Sequence, residues 1–340
     1  MNLTDSGIAP LIDLPYEEQV VLRQQKVSKA LAWLGVPVLP MVPSDRIEGS
    51  RARITLRHPA ALASHTPGPS VDAPRLGFHL AGTHDHWVPS PDELARLARP
   101  EVVAAVAVFD SLGLHVHGDV EVRSDGLRAI FALTEPNPVP RTRPGPDSEP
   151  IDLDVAINGK RRSGAPVLTV DGLRVGPASF MQVNLEVNRR VVANVDQLLN
   201  DAQPAGILDL YGGVGNLSAR AHARGVPVTL VEREGAATDD ARKNLPGAEI
   251  LAMDAGRWKP GQSFFDVAIL DPPRSGAQGV LAKIALTRPR LILYLSCDPV
   301  TLARDLNTVH GRGYRVDSLQ PYDMFPGTEH VETLAVIRRV

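Results

Sequence analysis

Cys297 is the only cysteine in this chain of 340 residues, and its position indicates chemistry. It ends the strand-like run "RLILYLSC" instead of lying inside it, and Pro299 stops the strand. A free cysteine is more often a small buried apolar side chain. At the end of a strand, however, a thiol can be a nucleophile if its pKa is lowered. We therefore take Cys297 as a candidate catalytic nucleophile.

Glu332 opens the last apolar run, "ETLAVIRR", close to the C-terminus. A carboxylate at the start of a strand can face the same crevice as the thiol. Such a pair is typical of covalent catalysis with a separate general base. Taken alone, Glu332 is equally compatible with a surface carboxylate. His330 is a second candidate base, although a structural role is the commoner one for a histidine.

Three further acids end successive apolar runs: Glu232 in "TLVERE", Asp254 in "LAMDA" and Asp271 in "ILDPPRSG". The carboxyl ends of parallel strands meet at the crevice where such sheets bind ligands. Glu232 could accept hydrogen bonds from two ribose hydroxyls, and Asp254 could reach an adenine amine. This acidic lining suits a cationic nucleoside without phosphate better than a dinucleotide, and S-adenosylmethionine fits that description.

Two glycines, Gly213 and Gly215, lie between a predicted strand and a predicted helix in "LDLYGGVGNLS". Glycine lets the backbone approach a ligand closely. The third glycine of the dinucleotide fingerprint does not follow at its usual spacing. The stretch alone therefore fits a tight turn as well as a ligand-binding loop, and the acids that follow favour the second interpretation.

Strand and helix patterns alternate from about residue 175 onward. This alternation predicts a doubly wound, Rossmann-like α/β domain over residues 175–340. Short alternating runs and helices before it predict a separate α+β domain over residues 1–174, which includes a helix in "YEEQVVLRQQKVSKALAWLG". The proline-rich segment 134–150 is predicted to be an exposed loop.

Composition excludes several classes of protein. One cysteine excludes an internal disulfide, an iron–sulfur cluster and a multi-cysteine zinc site. A formal net charge of −3 means that any RNA-binding surface must be local. We expect no signal peptide at "MNLTDSGIAP" and no membrane span, and hence a cytoplasmic protein.

Several motifs occur in the order typical of RNA uridine-5-methyltransferases, which make 5-methyluridine in ribosomal and transfer RNA. They are "SFMQVN", "DLYGGVGN", "LVERE", "LDPPRSG", "YLSCDPVTLARDL" and "DMFPGTEHVETL". The chain resembles this family over about residues 180–340 and more faintly before. The resemblance implies that Cys297 is the nucleophile and Glu332 the base. It also implies a set of positions that bind S-adenosylmethionine: Gln182, Tyr211, Asn216, Glu232, Asp254 and Asp271.

The family's chemistry accounts for these residue types. Uracil C5 is a poor nucleophile, and addition of a thiolate at C6 makes it enolate-like so that it can attack the methyl sulfonium. A base then removes the C5 proton, elimination frees the thiol, and no metal is needed. The target uridine must be flipped out of its stack. Phe180 either stacks on a base or packs within the protein.

The chain also departs from the family pattern. It resembles a short member without the iron–sulfur cysteines and without the N-terminal RNA-binding barrel. Asp298 follows the candidate nucleophile where asparagine is usual, and an acid there would raise the pKa of the thiol unless a neighbour offsets it. Gly327 stands where histidine is common.

RNA contacts would then come from the N-terminal half. Candidate phosphate contacts are Arg51, Arg53 and Arg57 and the stretch "GKRR" at 159–162. Solvated surface charge is the commoner role for any one of them.

Three alternative functions stay open at the level of sequence. An RNA 5-methylcytosine methyltransferase would use similar addition chemistry, but usually with a second motif cysteine. An amino-group methyltransferase would use an Asp-Pro-Pro motif followed by an aromatic residue, whereas Arg274 follows the motif here. Cys297 would also have no catalytic role in such an enzyme. A non-catalytic RNA-binding relative would need neither Cys297 nor Glu332.

Overall fold

The computed structural model describes residues 2–57, 75–80, 86–111, 118–134, 154–260, 265–309 and 311–340. The helices of these ranges are α1 (Tyr16–Leu31), α2 (Pro91–Leu97), α3 (Pro100–Ser111), α4 (Leu185–Ala202), α5 (Ala219–Ala223), α6 (Gly235–Asn244), α7 (Gln278–Leu286) and α8 (Pro299–Leu306). The strands of the N-terminal half are β1 (Arg53–Arg57), β2 (Phe78–His79), β3 (His86–Trp87), β4 (Asp119–Ser124), β5 (Ala129–Thr134), β6 (Val155–Ile157), β7 (Lys160–Ser163), β8 (Leu168–Val170) and β9 (Leu173–Val175). Those of the C-terminal half are β10 (Ile207–Leu210), β11 (Val228–Glu232), β12 (Glu249–Ala252), β13 (Val267–Leu270), β14 (Leu291–Ser296), β15 (Tyr314–Tyr322) and β16 (Glu332–Arg339).

The chain divides into two compact units, the first made of Met1–Asp13 and Arg46–Leu185. Its main sheet has the order β1-β4-β5-β6-β7 and is antiparallel except where β5 pairs with β6. Strand β1 alternates as a half-buried strand should, with Ile54 and Leu56 in the core. Val102 and Phe109 of α3 pack in the same apolar cluster.

The second unit is made of Leu14–Asp45 and Glu186–Val340. Its sheet has the order β12-β11-β10-β13-β14-β16-β15. Strands β10 to β14 run parallel, and β16 and β15 complete the sheet in antiparallel pairing. The strand order reverses between β10 and β13, and doubly wound folds bind ligands at this switch point, beyond the carboxyl ends of the strands.

The central strands of this sheet are buried along their whole length. Strands β10, β13 and β14 read "ILDL", "VAIL" and "LILYLS", and every residue in them is buried. Continuous apolar runs of this kind are what a parallel sheet covered on both faces requires. The predicted fold class, a doubly wound Rossmann-like α/β domain with a separate α+β domain, is confirmed.

Helix α1 belongs to the second unit although it lies near the N-terminus. Val27 and Leu31 are fully buried in the core that also contains Leu208 and Tyr294. The observed division therefore differs from the single boundary expected between residues 174 and 175, because burial of this apolar stripe joins residues 14–45 to the C-terminal sheet. The stretch from 175 to Leu185 lies in the first unit.

Two elements differ from the sequence prediction. Helix α5, which was predicted after the two glycines, is short and covers only Ala219–Ala223. Strand β15 was not predicted, because a register shift between Val316 and Ser318 breaks its alternation and Pro321 lies near its end. The predicted proline-rich loop lies outside the described residues, apart from Thr134. Across the ranges given above, no helix is both long enough and apolar enough to span a bilayer.

Candidate active site

The loop after β10 bends sharply at the switch point of the second unit. Tyr211 has a φ of 60°, and Gly213 and Gly215 have φ of 55° and 93°. A Cβ on Gly215 would lie 2.1 Å from Cδ1 of Leu245, whereas nothing lies within 4 Å of one on Gly213. Gly215 is thus required for packing, and Gly213 leaves open space at the predicted ligand crevice. A non-glycine residue at positive φ, such as Tyr211, stores strain of the kind that collects at functional sites.

Asp209 is a buried acid inside β10 that the sequence analysis did not single out. It is 1% exposed, and its Oδ2 accepts a 2.5 Å hydrogen bond from the Ser218 hydroxyl. Burial, together with the charge of Glu232, raises the pKa of Asp209 to about 7 in spite of that bond. Within the described residues, its Oδ1 is buried without a hydrogen-bond partner. The signal in the sequence was an acid in the middle of the apolar run "ILDLY".

Glu232 and Asp254 lie at the carboxyl ends of β11 and β12, as predicted. Glu232 accepts hydrogen bonds from the amide of Gly213 at 3.0 Å and from that of Glu234 at 2.8 Å. Asp254 accepts one from the amide of Gly256 at 2.7 Å. Both carboxylates are therefore oriented by backbone amides at the edge of the sheet, and Glu232 is tied to the glycine loop.

Asn216 forms a reciprocal amide pair with Asn188 of α4. Each side chain donates to the other, at 2.9 Å and 3.1 Å. Asn188 is 5% exposed, so the pair holds the glycine loop against α4 from inside the unit. Asn188 was missed because a single asparagine within a helical pattern carries no signal of its own.

Cys297 and Glu332 come together at the adjoining ends of β14 and β16. The thiol is half-buried, and Glu332 is 2% exposed. Burial, then the charges of Glu332 and Asp271, raise the pKa of Cys297 to about 12, and the Arg274 guanidinium acts in the opposite direction. The pKa of Glu332 lies well above its usual value because of burial and the charge of Asp271, again offset in part by Arg274.

Asp271 is the fourth member of this group. Burial, followed by the charge of Asp209, raises its pKa to about 7. Arg274 is exposed, and its Nη2 lies 3.2 Å from Nε2 of His330. The group therefore combines one thiol, two carboxyls with raised pKa and one guanidinium. Arg274 was not predicted as a site residue, although its place directly after "DPP" was the available signal.

The loop that carries Asp271 and Arg274 is anchored below the thiol. The Tyr294 hydroxyl donates to Oδ2 of Asp305 at 2.6 Å, and the amide of Ala277 donates to the same oxygen at 2.6 Å. Arg304 donates to the Ser275 carbonyl at 2.7 Å. These contacts explain why tyrosine, arginine and aspartate accompany the cysteine in "YLSCDPVTLARDL".

The two departures near the candidate nucleophile and base have local roles. The Asp298 carboxylate caps α8, accepting from the amides of Val300 at 2.8 Å and Thr301 at 2.9 Å. The raised pKa of Cys297 arises from burial, Glu332 and Asp271 rather than from Asp298. Gly327 has a φ of 78°, a conformation in which a histidine would be strained.

The remaining predicted residues belong to the first unit. Gln182 is half-buried, and Phe180 is 54% exposed with the Arg53 guanidinium carbon 4.7 Å above its ring centre. Burial lowers the pKa of Arg51 to about 10, and its Nη2 donates to the Ile8 carbonyl. Of the basic candidates, Arg57 pairs with Asp119 at 2.5 Å, and the residues of 160–162 are exposed. Arg51 thus has an internal partner, whereas Phe180 is exposed.

The fold and the arrangement of the second unit agree with comparisons to known proteins. A tRNA (uracil-54, C5)-methyltransferase of Pyrococcus abyssi, solved with S-adenosyl-L-homocysteine, has the same fold. Its TM-score is 0.71 at 24% identity, over 96% of this chain and 84% of that one. The family model described as tRNA (Uracil-5-)-methyltransferase matches residues 261–340.

The curated relatives are named for methylation of uracil C5 in 23S rRNA. A 23S rRNA (uracil(1939)-C(5))-methyltransferase of Salmonella paratyphi A is 35% identical over 94% of this chain and 77% of its own length. The homologous protein of Alkalilimnicola ehrlichii is 40% identical, but the match spans 49% of this chain and only 40% of that protein. The fold is shared with the solved methyltransferase, and the relative matched over most of both chains shows the family. The chain belongs to the family of RNA uracil-5-methyltransferases.

Proposed function

We propose that the protein transfers a methyl group from S-adenosylmethionine to C5 of a uridine in ribosomal or transfer RNA. The observation that carries this proposal is the meeting of Cys297 and Glu332. They come from different strands, yet the carboxylate lies close enough for its charge to raise the pKa of the thiol. Family membership supports the same reaction, and it gives no support to the cytosine and non-catalytic alternatives.

The residues of the crevice fit S-adenosylmethionine by their chemistry. Glu232 and Asp254 offer carboxylates at the strand ends, and the space beside Gly213 is open. Asp271 adds a further acid that suits a cationic sulfonium. Tyr211 and Asn216 complete the proposed binding set within the second unit. When bound, S-adenosylmethionine supplies an electrophilic methyl group.

The Cys297 thiol first loses its proton, and the resulting thiolate adds to C6 of the uracil ring. A sulfur–carbon bond forms, and the electron pair of the C5–C6 double bond moves toward C5 and the C4 carbonyl. Arg274 is the positive charge that favours the thiolate, since it lowers the pKa of Cys297. C5 thereby becomes nucleophilic enough to accept the methyl group.

Glu332 completes the reaction by removing the proton from C5. The carbon–hydrogen electron pair restores the C5–C6 double bond, and the sulfur–C6 bond breaks to release the thiolate. The raised pKa of Glu332 makes it a stronger base than an ordinary glutamate.

Phe180 and Arg53 are the best-supported substrate contacts in the first unit. An exposed aromatic ring can stack on an unpaired base, and such stacking is worth about 1–3 kcal/mol per base. Arg51 is less well supported, because its guanidinium is buried and donates to a backbone carbonyl. The exposed residues 160–162 on β7 are candidate phosphate contacts.

Tritium release tests the proposed function. Transcripts of 23S ribosomal RNA and of transfer RNA, labelled with tritium at uridine C5, are incubated with the protein and S-adenosylmethionine. We expect cofactor-dependent release of tritium into water from one of the two RNAs, and none from the Cys297→Ala variant. Methyl incorporation without tritium release would overturn the proposed target atom, and full activity of Cys297→Ala would overturn the mechanism.

A further inference from the structure

Residues 323–331 connect β15 to β16 and lead directly into the candidate base. Strand β15 ends at Tyr322 and β16 begins at Glu332, and these two residues are paired across the hairpin. The position of the Glu332 carboxylate therefore depends on how this connection is held. We name residues 323–331 the hairpin connection.

Arg23 of α1 binds the hairpin connection at several points. Its guanidinium forms a two-pronged ion pair with Asp323, with nitrogen–oxygen distances of 2.7 Å and 3.0 Å. It also donates to the carbonyl of Phe325 at 3.1 Å and to that of Thr328 at 3.5 Å. Arg23 is 1% exposed and the Asp323 side chain is 0% exposed, so the pair is shielded from water.

Other residues on the same face of α1 bind the rest of the hairpin connection. Oε1 of Gln19 accepts the amide of Gly327 at 2.9 Å, and Lys26 donates to the Glu329 carbonyl at 3.1 Å. The Tyr16 hydroxyl donates to Asp323 at 2.7 Å. Tyr16, Gln19, Arg23 and Lys26 recur at the spacing of one helix face, so a single surface of α1 is dedicated to this segment.

We infer that α1 positions the catalytic carboxylate, and that Gln19 and Arg23 are positioning residues for Glu332. This inference rests on the proposed function, which makes Glu332 the base. The contacts are directed at backbone groups and at the Asp323 carboxylate along the hairpin connection rather than at apolar side chains. They therefore fix the path of the chain before Glu332, which apolar packing of Val27 and Leu31 would not do by itself.

Gln24 offers a matched control on the same helix. It is also a glutamine with two backbone partners, since it donates to the Leu39 carbonyl at 3.0 Å and accepts the Met41 amide at 2.9 Å. Its partners lie in the segment that follows α1, not in the hairpin connection. Gln24→Ala thus removes similar bonds from α1 without removing a direct bond between α1 and the hairpin connection.

Alkylation of Cys297 by iodoacetamide reports on the place of Glu332 without any RNA. Cys297 is the only thiol, and the charge of Glu332 raises its pKa, so displacing that charge speeds alkylation at about pH 9. Asp271 and Arg274 also face the thiol and stay unchanged. We expect Gln19→Ala to raise the alkylation rate about threefold or more, and Gln24→Ala to leave it at the wild-type value.

A double-variant cycle separates this effect from easier access to the thiol. In a Glu332→Gln background there is no charge to displace, so Gln19→Ala should then leave the alkylation rate of Cys297 unchanged. The inference would be overturned if Gln19→Ala accelerated alkylation equally in the wild-type and Glu332→Gln backgrounds, or in neither of them. If Gln19→Ala does not fold, Lys26→Met at the partly exposed end of the face takes its place, with a smaller effect of the same sign.

Steady-state kinetics on the RNA that releases tritium gives the second readout. A misplaced base slows proton removal but does not weaken substrate binding. Gln19→Ala should therefore lower kcat about tenfold and leave the KM for RNA and the KM for S-adenosylmethionine unchanged. The covalent RNA adduct should accumulate during turnover in this variant and not in Gln24→Ala. Loss of activity through a raised KM alone would contradict a positioning role for Gln19.

A wild-type protein inactive on RNA would refute the proposed function, while the alkylation cycle would still decide the role of α1.

Discussion

Arg274 carries the positive charge that opposes burial, Glu332 and Asp271 at the thiol of Cys297. We expect Arg274→Gln to raise the pKa of Cys297 and slow its alkylation at about pH 9, by about tenfold for each pKa unit. Glu332→Gln should change the rate in the opposite direction. Arg315→Gln, an exposed arginine paired with Asp317, is the control and should have no effect. Equal rates in Arg274→Gln and the wild type would remove Arg274 from the mechanism.

Asp209 gives a pH dependence of stability whose sign follows from its raised pKa. The folded-state pKa of about 7 lies above the ordinary value of 3.8 that the carboxyl has in the unfolded chain. Burial of this carboxyl therefore destabilises the protein fully above pH 7, and the penalty fades as pH falls toward 3.8. We expect Asp209→Asn to increase the free energy of unfolding by about 1–3 kcal/mol at pH 8, and by less at pH 5. Urea unfolding at both values measures this, and a larger gain at pH 5 would contradict the assignment.

The loop between β10 and α5 requires glycine at position 215, where the backbone lies close to Leu245. We expect Gly215→Ala to destabilise the protein by about 2–4 kcal/mol, because the new Cβ meets Leu245 and the φ is positive. Gly225→Ala is the matched control, since its φ is 90° and nothing lies within 4 Å of a Cβ there. It should cost about 1 kcal/mol from backbone strain alone. Chemical denaturation compares the two, and equal losses would refute the close packing of Gly215.

The elements of the catalytic sheet were predictable because their residues obey simple rules. Strands β10, β13 and β14 are continuous apolar runs, and acids placed after strands had to meet at one edge. Helix α5, β15 and the assignment of α1 to the second unit were not predictable in this way. A bulge obscured β15, and the partners of Arg23 and Gln19 lie about 300 residues away in the chain. Cys297 and Glu332 could be proposed from strand ends, whereas Asp209, Asn188 and Arg274 act through contacts that no local pattern encodes.

At the scale of the whole molecule, the two units divide the proposed task. The second unit holds Cys297, Glu332 and the proposed methyl-donor residues Glu232, Asp254 and Asp271, and the first holds Phe180 and Arg53. We expect Phe180→Ala to raise the KM for RNA about 5- to 100-fold, which is the loss of one stacked base. The Kd for S-adenosylmethionine, measured by calorimetry, should change less than about twofold. Phe180→Tyr keeps the ring and should have the wild-type KM for RNA. A similar KM for RNA in the wild type, Phe180→Ala and Phe180→Tyr would exclude stacking.

The central claim is that Cys297 forms a covalent bond to the target uridine, and mass spectrometry of a trapped adduct tests it most directly. RNA containing 5-fluorouridine is incubated with the protein and S-adenosylmethionine, then digested. Glu332 cannot remove fluorine as a cation, so the methylated adduct should stay attached. We predict a peptide with a methylated 5-fluorouridine nucleotide on Cys297, dependent on S-adenosylmethionine and absent from Cys297→Ala. Methylation of ordinary RNA without any such adduct, or an adduct on another residue, would contradict the account.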